Sequence, residues 1–115
     1  MRYDAGYYSI DKLLNKAVSP TVIYAAYSHI AVGMLQRITE TDKTVPDSVS
    51  VICMDDIKSL PYYPIELSCI KMHLDDLALI AVRLLFQRAK EKQFSAKQNI
   101  LIKREFFVGK TIKRI

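Results

Sequence analysis

The residues best suited to chemistry are two adjacent carboxylates, Asp55 and Asp56, which directly follow the apolar, β-branched run Val49–Met54. A strand that stops at an acid is typical of an α/β ligand site, because ligands bind at the carboxyl ends of strands in open α/β sheets. Neighbouring residues at a strand end point to opposite sides, which argues against a shared-proton pair. We expect one of the two acids to face a ligand cleft and the other to cap the following loop.

Other catalytic and metal-binding patterns do not occur in the sequence. The two histidines, His29 and His73, are far apart and have no cysteine or glutamate at ligand spacing, so a zinc pattern is excluded. The three glycines are isolated from one another, which excludes a glycine-rich phosphate loop. Neither a GxSxG motif nor a Cys–His arrangement is present. We therefore predict a non-enzyme without catalytic residues, metal or cofactor.

Composition limits the class of protein further. The 115 residues, 50% hydrophobic and 25% charged, indicate one small globular domain or a piece of a larger one. The sequence has no apolar run near the roughly 18–20 residues of a membrane span, and its N-terminus has no apolar signal region. Cys53 and Cys69 lie in apolar, strand-like runs, which predicts buried thiols and a reducing cytoplasm.

The net charge of +5 raises the question of nucleic-acid binding. The basic residues are scattered, however, and the densest groups are Lys90–Lys92, Lys103–Arg104 and Lys110–Arg114. None of these groups is interleaved with aromatic residues on one helical face. We therefore expect solvated helix ends and strand edges, and not direct DNA binding by these residues.

Periodicity predicts alternating helices and strands. Gly6 opens a helix that Ser19-Pro20 stops, Ser28 stands at the N-cap of the next helix, and Gly33 marks a close backbone approach. Buried strands are predicted at Thr21–Ala26, Val49–Met54 and Leu67–Met72, helices at Ser28–Ile38 and Leu74–Lys92, and a hairpin or two strands at Ile100–Ile102 and Phe106–Val108. This order indicates an α/β fold with crossover connections.

The last predicted helix is apolar around more than half its circumference. Leu74, Leu77, Ala81 and Leu84 form one stripe, and Ile80 lies off it. The predicted elements are too few to cover both faces. We therefore expect that a partner surface outside this chain covers one of them.

Several motifs, in the same order along the chain, resemble the LacI/GalR family of bacterial repressors. They are Asp4–Tyr7, Pro20–Gly33 (PTVIYAAYSHIAVG), Val45–Asp56 (VPDSVSVICMDD), Leu67–His73 (LSCIKMH), Asp75–Leu77 with Ala81–Val82, and Phe106–Thr111. The departures are Tyr27-Ser28 where the family has Asn-Asp, Cys53-Met54 for Gly-Phe, and His73 for proline. The resemblance covers nearly the whole chain.

The resemblance implies the parallel-sheet C-terminal lobe of a type I periplasmic-binding-protein-like fold. Residues 1–115 would be part of an effector-binding and dimerisation domain, and the last long helix would belong to the N-terminal lobe. A small effector, most often a sugar in this family, would bridge the lobes and set the spacing of a homodimer's DNA-binding headpieces on operator DNA. The sequence contains no such headpiece. Helix Ser28–Ile38 and loop Leu60–Pro64 are the predicted dimer surface.

The resemblance also yields candidate effector-binding residues. Asp55 matches the carboxylate that hydrogen-bonds the effector in relatives, with loop capping as its other interpretation. Tyr27 either stacks on a sugar ring or packs at the lobe edge, and Ser28 is a helix cap before it is a ligand contact. Lys71 either reaches the cleft or is solvated, and Tyr3 is a candidate for lining the cleft.

Two other classes of protein remain open. The fold is shared by secreted or periplasmic sugar-binding proteins of transporters, but Val45-Pro46 and Phe106–Thr111 are more similar to repressors. A small flavodoxin-like enzyme is disfavoured, because the sequence has neither a phosphate loop nor a nucleophile–base pair. The leading hypothesis is a cytoplasmic LacI/GalR-type regulator.

Overall fold

A computed structural model describes residues 2–55, 65–90 and 96–113 of the chain. Its elements in chain order are helix α1 (Arg2–Leu14), strand β1 (Val22–Ala25), helix α2 (Ser28–Thr39), strands β2 (Ser50–Cys53) and β3 (Ser68–Lys71), helix α3 (Leu74–Lys90) and strand β4 (Glu105–Phe107). The three predicted strands and the two later helices are present, with bounds within two residues of those expected.

The strands form one four-stranded sheet in the order β1-β2-β3-β4. Strand β2 pairs in parallel with β1 on one side and with β3 on the other. The predicted α/β fold with a parallel sheet is confirmed. Because the three strands run in the same direction, the residues that follow Ala25, Cys53 and Lys71 meet at one edge of the sheet.

Strand β1 is buried on one face only, so the prediction of a buried strand is correct for that face and wrong for the other. Ile23 and Ala25 are buried, whereas Val22 and Tyr24 are 46% and 51% exposed. Successive side chains of a strand point to opposite faces of the sheet. The buried face contacts α2, and the described residues leave the other face of β1 open to solvent.

Helix α1 begins at Arg2, so the prediction that Gly6 opens it is wrong. Gly6 lies inside the helix, where a Cβ atom would overlap the backbone carbonyl of Ile30 in α2. In the same way, a Cβ atom at Gly33 would overlap the carbonyl of Tyr3. The two glycines therefore allow α1 and α2 to cross at backbone contact, as expected for Gly33.

Helices α1 and α2 pack with the sheet around one apolar core. The buried hydrophobic residues are Ile10, Ile23, Ala25, Ala31, Met34, Leu35, Ile38, Val49, Val51, Cys53, Leu67 and Cys69. Both cysteines are buried thiols, as predicted.

Hydrogen bonds of hydroxyl side chains connect the segment 109–113 to the amino-terminal ends of β2 and β3. The hydroxyl of buried Thr111 accepts a hydrogen bond from Ser68 N–H (2.9 Å) and donates one to the Val51 carbonyl (2.6 Å). Gly109 N–H donates to the Ser68 hydroxyl at 3.0 Å, and Lys113 N–H donates to the Ser50 hydroxyl at 3.2 Å. Side chains here satisfy backbone groups that a regular ladder would otherwise pair.

Residues 72–105 form a second compact unit, separate from the one that contains β1, β2 and β3. Its helix α3 has no buried residue, although the structure describes all of Leu74–Lys90. Leu77 is 47% exposed and Leu85 is 68% exposed. Ile80 and Leu84 are half-buried and the other residues of the helix are exposed, so the described residues leave most of the apolar surface of α3 uncovered.

The prediction of a hairpin or two successive strands at Ile100–Ile102 and Phe106–Val108 is wrong in its first half. Residues 96–104 are irregular, and only Glu105–Phe107 forms a strand, one residue earlier than expected. A strand requires a neighbour to pair with, and the apolar run Ile100–Ile102 has no paired strand among the described residues. None of the helices that the structure describes is long and apolar enough to cross a membrane.

Candidate functional site

The carboxyl edge of the sheet brings Asp55 against the first residue of α2. Oδ1 of Asp55 accepts a hydrogen bond from the Ser28 backbone N–H at 2.6 Å, and Oδ2 accepts one from the Ser28 hydroxyl at 3.1 Å. Ser28 is buried, whereas Asp55 is half-buried. Since β1 and β2 are parallel neighbours, the loops that follow them place the two residues together across 27 positions of sequence.

Asp55 caps helix α2, and the prediction that Ser28 is its N-cap is wrong. The N-cap residue is Tyr27, which has extended backbone (φ −141°, ψ 148°), and Ser28 is the first helical residue. The first N–H groups of a helix lack partners within it and attract negative charge. A carboxylate from the neighbouring strand supplies the acceptor here, so the Ser28 hydroxyl acts as a donor to that carboxylate.

This capping contact leaves hydrogen-bonding capacity on Asp55. An ionised carboxylate has about two acceptor positions on each oxygen. Ser28 occupies one position on Oδ1 and one on Oδ2. A ligand with two neighbouring hydroxyl groups could therefore bind the same carboxylate, as a bidentate donor, without displacing the cap.

Tyr27 and Lys71 lie at the same edge of the sheet. Tyr27, at the beginning of α2, is 47% exposed, so its ring is accessible. Lys71 is the last residue of β3, and its Nζ lies 4.0 Å from the centroid of the Phe107 ring. A cation over an aromatic face is attracted by the ring quadrupole, which holds the Lys71 ammonium against Phe107.

Tyr3 lies at the crossing of α1 and α2. Its ring stacks on that of Tyr7, with centroids 6.3 Å apart, and its carbonyl lies beside Gly33. The structure therefore brings Asp55 and Ser28 together, places Tyr27 and Lys71 at their sheet edge, and puts Tyr3 on the helix pair.

A polar network near Tyr3 connects helices α1 and α2. The Tyr7 hydroxyl donates to Oε2 of Glu40 at 2.5 Å, and Arg37 bridges Asp11 (3.1 Å) and Glu40 (3.0 Å). The hydrogen bond from Tyr7, followed by that from Arg37, lowers the pKa of Glu40, and the same bond to Glu40 raises the pKa of Tyr7. These residues stabilise the helix pair.

Two parts of the predicted site lie outside the described residues. They are Asp56, the second acid of the pair, and the loop Leu60–Pro64, half of the predicted dimer surface. In the other half, α2, six residues are buried against the sheet and α1. Among the described residues, no three His, Cys, Asp or Glu side chains are grouped so that they could hold a metal ion.

The structure also contains two cavities, one within each unit. One, of about 320 Å³, lies in the first unit and is lined by residues 35, 38, 39 and 41–45 and by Ile65. The other, of about 290 Å³, lies within the second unit between residues 72–77 and 100–104. Neither cavity is lined by a candidate site residue.

A parallel sheet with polar residues at its carboxyl edge defines the class of α/β ligand-binding domains. Comparison with known proteins narrows this class: the model of the periplasmic binding protein-like domain family matches residues 2–112. The HTH-type transcriptional repressor PurR of Mannheimia succiniciproducens is 32% identical over 110 residues, which cover 96% of this chain and 33% of that protein.

Two solved structures share the fold. Transcription regulator CcpA of Lactococcus lactis has a TM-score of 0.83 at 22% identity, covering 96% of this chain and 40% of that one. A LacI family transcriptional regulator from Enterococcus faecium, with bound ribose, has a TM-score of 0.78 at 24% identity over the same shares of both chains.

The chain belongs to the periplasmic binding protein-like family, in the form found in the effector-binding domain of LacI/GalR transcriptional regulators. It spans about one third of the length of the curated relatives that it matches. The family resemblance predicted from the sequence motifs is confirmed.

Proposed function

We propose that this chain is the effector-sensing and dimerisation part of a bacterial LacI-type transcriptional repressor that responds to a small polyhydroxylated molecule, most simply a sugar. The observation that carries the proposal is Asp55. Its carboxylate lies at the carboxyl edge of the sheet, half-buried, with one acceptor position on each oxygen beyond the bonds from Ser28. Charge-assisted hydrogen bonds from two sugar hydroxyls would be strong and directional.

The other candidate residues take supporting roles in this proposal. Tyr27 stacks on the apolar face of a sugar ring, and Ser28 holds the Asp55 carboxylate in position. Lys71 leaves the Phe107 ring to contact the effector when it is bound. Tyr3 lies on the helix pair that borders the lobe, and its contact with the effector is the least direct.

The exposed helix α3 fits a two-lobed arrangement. In this proposal α3 belongs to the N-terminal lobe, whose remaining elements cover its apolar side chains. The effector bridges the two lobes and favours one orientation of them. Residues 1–115 then form one part of the effector-binding and dimerisation domain of a homodimer, and operator DNA is bound by a headpiece outside these residues.

The proposal places the protein in the cytoplasm, as a regulator and not an enzyme. Its relatives are named as transcriptional repressors. A secreted transport protein of the same fold would instead bind sugar without any DNA-binding partner domain. Operator binding by the full protein therefore separates the two hypotheses directly.

The test replaces Asp55 by Asn in the full regulator, which keeps the size of the side chain and removes its charge. A hydrogen bond to a charged group contributes about 1.5–3 kcal/mol, so we expect the sugar concentration for half-maximal operator release to rise roughly 10- to 150-fold. The measurement is operator release, by fluorescence anisotropy, over a panel of pentoses and hexoses that includes ribose and glucose.

The control replaces Ser28 by Ala, which removes one of the two hydrogen bonds to Asp55 and keeps the carboxylate. This variant should shift the midpoint less than Asp55→Asn does. Operator affinity without sugar should be unchanged in both variants if the fold is intact. An unchanged midpoint in Asp55→Asn would show that Asp55 does not contact the effector.

A further inference from the structure

Lys71 carries a positive charge at the same carboxyl edge of the sheet as Asp55. Cys53 in β2 and Cys69 in β3 are register partners, and Asp55 and Lys71 each follow one of these partners by two residues. Neighbouring strands lie about 4.8 Å apart, so the backbones of the two charged residues reach the same level of the edge on adjacent strands. A ligand that binds Asp55 there comes within reach of the long lysine side chain.

The Lys71 ammonium contacts an aromatic ring and not an acid. Its Nζ lies 4.0 Å from the centroid of the Phe107 ring, which belongs to the neighbouring strand β4 and packs against the apolar core. Among residues 2–55, 65–90 and 96–113, no carboxylate forms an ion pair with this ammonium. Lys71 is half-buried. The side chain is therefore held at a defined place while its charge is not neutralised by the described residues.

An anionic ligand competes well with the Phe107 ring for this ammonium. A lysine ammonium has three hydrogen-bond donors, and an aromatic face satisfies none of them with an oxygen atom. A hydrogen bond between two charged groups is stronger than a cation–π contact at a partly exposed site. The exchange of the ring for an anion is therefore favourable, whereas the exchange of the ring for a neutral hydroxyl group gains little.

We propose that the effector is an acidic sugar, whose hydroxyl groups bind Asp55 and whose carboxylate binds Lys71. This inference rests on the sugar-binding role proposed above for Asp55 and adds the charge of the ligand to it. The Asp55 carboxylate repels an anion placed beside it, and this repulsion directs the acidic group of the sugar toward Lys71. The two residues together select both the charge of the effector and its orientation.

The charge balance favours a sugar carboxylate over a sugar phosphate. A carboxylate carries one negative charge, which the single Lys71 ammonium neutralises. A phosphate monoester carries about 1.5–2 negative charges near neutral pH, so part of its charge would remain uncompensated close to Asp55. An uncompensated charge is costly where water is partly excluded.

The test compares each neutral sugar with its own uronic acid, for example glucose with glucuronate, and includes glucose 6-phosphate. Operator release by the full regulator is followed by fluorescence anisotropy. We expect the effective acid to release the operator at about one tenth, or less, of the concentration that its neutral sugar requires. Lys71→Met removes the charge and keeps an unbranched side chain, so it should abolish this preference with little change for the neutral sugar. The matched variant Lys71→Arg should retain the preference.

Phe107 is a positioning residue for Lys71, and its replacement should have the opposite effect. Phe107→Leu keeps an apolar side chain against the core and removes the aromatic face, so the ammonium no longer has to leave a ring. The concentration of acid for half-maximal release should fall by about two- to fivefold. A merely structural defect would not lower it.

Three results would overturn the inference. They are a neutral sugar that acts at the same or a lower concentration than its acid, a Lys71→Met variant that keeps the preference for the acid, and a sugar phosphate that acts at a lower concentration than the acid. Any of these with a normal effect of Asp55→Asn removes this inference alone, whereas the absence of release by every sugar and acid removes the proposed function as well.

A measurement on the parent protein keeps the test decisive if a variant fails to fold. Calorimetric titration of the DNA-free regulator gives its affinities for the acid and the neutral sugar at low and high salt. Salt screens ion pairs, so the preference for the acid should shrink as salt is added. A preference that does not change with salt would show that Lys71 does not bind the acidic group.

Discussion

Thr111 gives the sharpest test of how this fold is held together. The substitution Thr111→Val keeps the shape of the side chain and removes the hydroxyl, which leaves Ser68 N–H without its acceptor and Val51 carbonyl without one donor. Both residues are 0% exposed, so water does not replace the lost bonds. An unsatisfied buried polar group costs about 1–3 kcal/mol.

The magnitude follows from these two groups. The Ser68 N–H loses its acceptor, whereas the Val51 carbonyl has a second lone pair, so we expect the free energy of unfolding to fall by roughly 2–4 kcal/mol. The matched variant Thr111→Ser keeps the hydroxyl and loses one methyl group, which should cost about 1 kcal/mol. Total stabilities are about 5–15 kcal/mol, so the difference is large.

The assay is urea unfolding of the parent protein and both variants, followed by circular dichroism. Hydrophobicity alone predicts that the valine variant is the more stable of the two, and the hydrogen-bond argument predicts the reverse order. A valine variant as stable as the serine variant, with an unchanged dependence on urea, would refute the reasoning.

Two further predictions concern the helix pair. Gly33→Ala should lower the free energy of unfolding by about 1–3 kcal/mol, because the new Cβ atom overlaps the Tyr3 carbonyl. This loss is expected although alanine is the better helix former by about 1 kcal/mol. Thermal unfolding measures the change, and the control variant His29→Ala, at an exposed position of α2, should change the free energy by less than about 0.5 kcal/mol. Because folding lowers the pKa of Glu40, this carboxyl group contributes its full stability above about pH 4.3, and the contribution is lost as the pH falls through the pKa of Glu40 in the folded protein. Because folding raises the pKa of Tyr7, this hydroxyl contributes its full stability below about pH 10, and the contribution is lost as the pH rises through the pKa of Tyr7 in the folded protein. Tyr7→Phe should make the melting temperature less dependent on pH at both the acidic and the basic end of a pH series. An equal pH dependence in the parent protein and the variant would contradict this.

The strands could be predicted because each is a short run rich in apolar or β-branched residues with clear boundaries. Pro20 precedes β1, Pro46 precedes β2, and both strands end within one residue of the expected position. The parallel arrangement followed from the order of elements and from the family resemblance. Local pattern and chain order were sufficient for this part of the fold.

The interpretations that failed depend on contacts distant in sequence. Ser28 has the composition of an N-cap, but the acceptor at this helix end comes from Asp55, 27 residues later. Gly6 resembles a helix boundary, but its small size is required by Ile30 of another helix. The hydrophobic pattern of a segment indicates which face is apolar, but it does not indicate which other segment packs against that face. Neither contact could therefore be predicted from the neighbouring sequence.

The register of Cys53 and Cys69 could not be predicted from the sequence either. The two apolar runs that contain them were expected to be strands, but strand order and register depend on packing of the whole sheet. The capping of α2 by Asp55 likewise could not be predicted from the sequence. The motif indicated a ligand acceptor, and the structure adds that the same carboxylate caps α2.

The hydroxyl of Thr111 also has a consequence for biosynthesis. It joins Val51 and Ser68, which precede it by 60 and 43 residues. A ribosome adds about 5–20 residues per second, so Val51 is synthesised roughly 3–12 seconds before its partner. Until Thr111 is made, the Val51 carbonyl and the Ser68 N–H cannot form their hydrogen bonds to its hydroxyl. The hydrogen bonds that connect β2 and β3 to the segment 109–113 therefore form only after both strands have been synthesised.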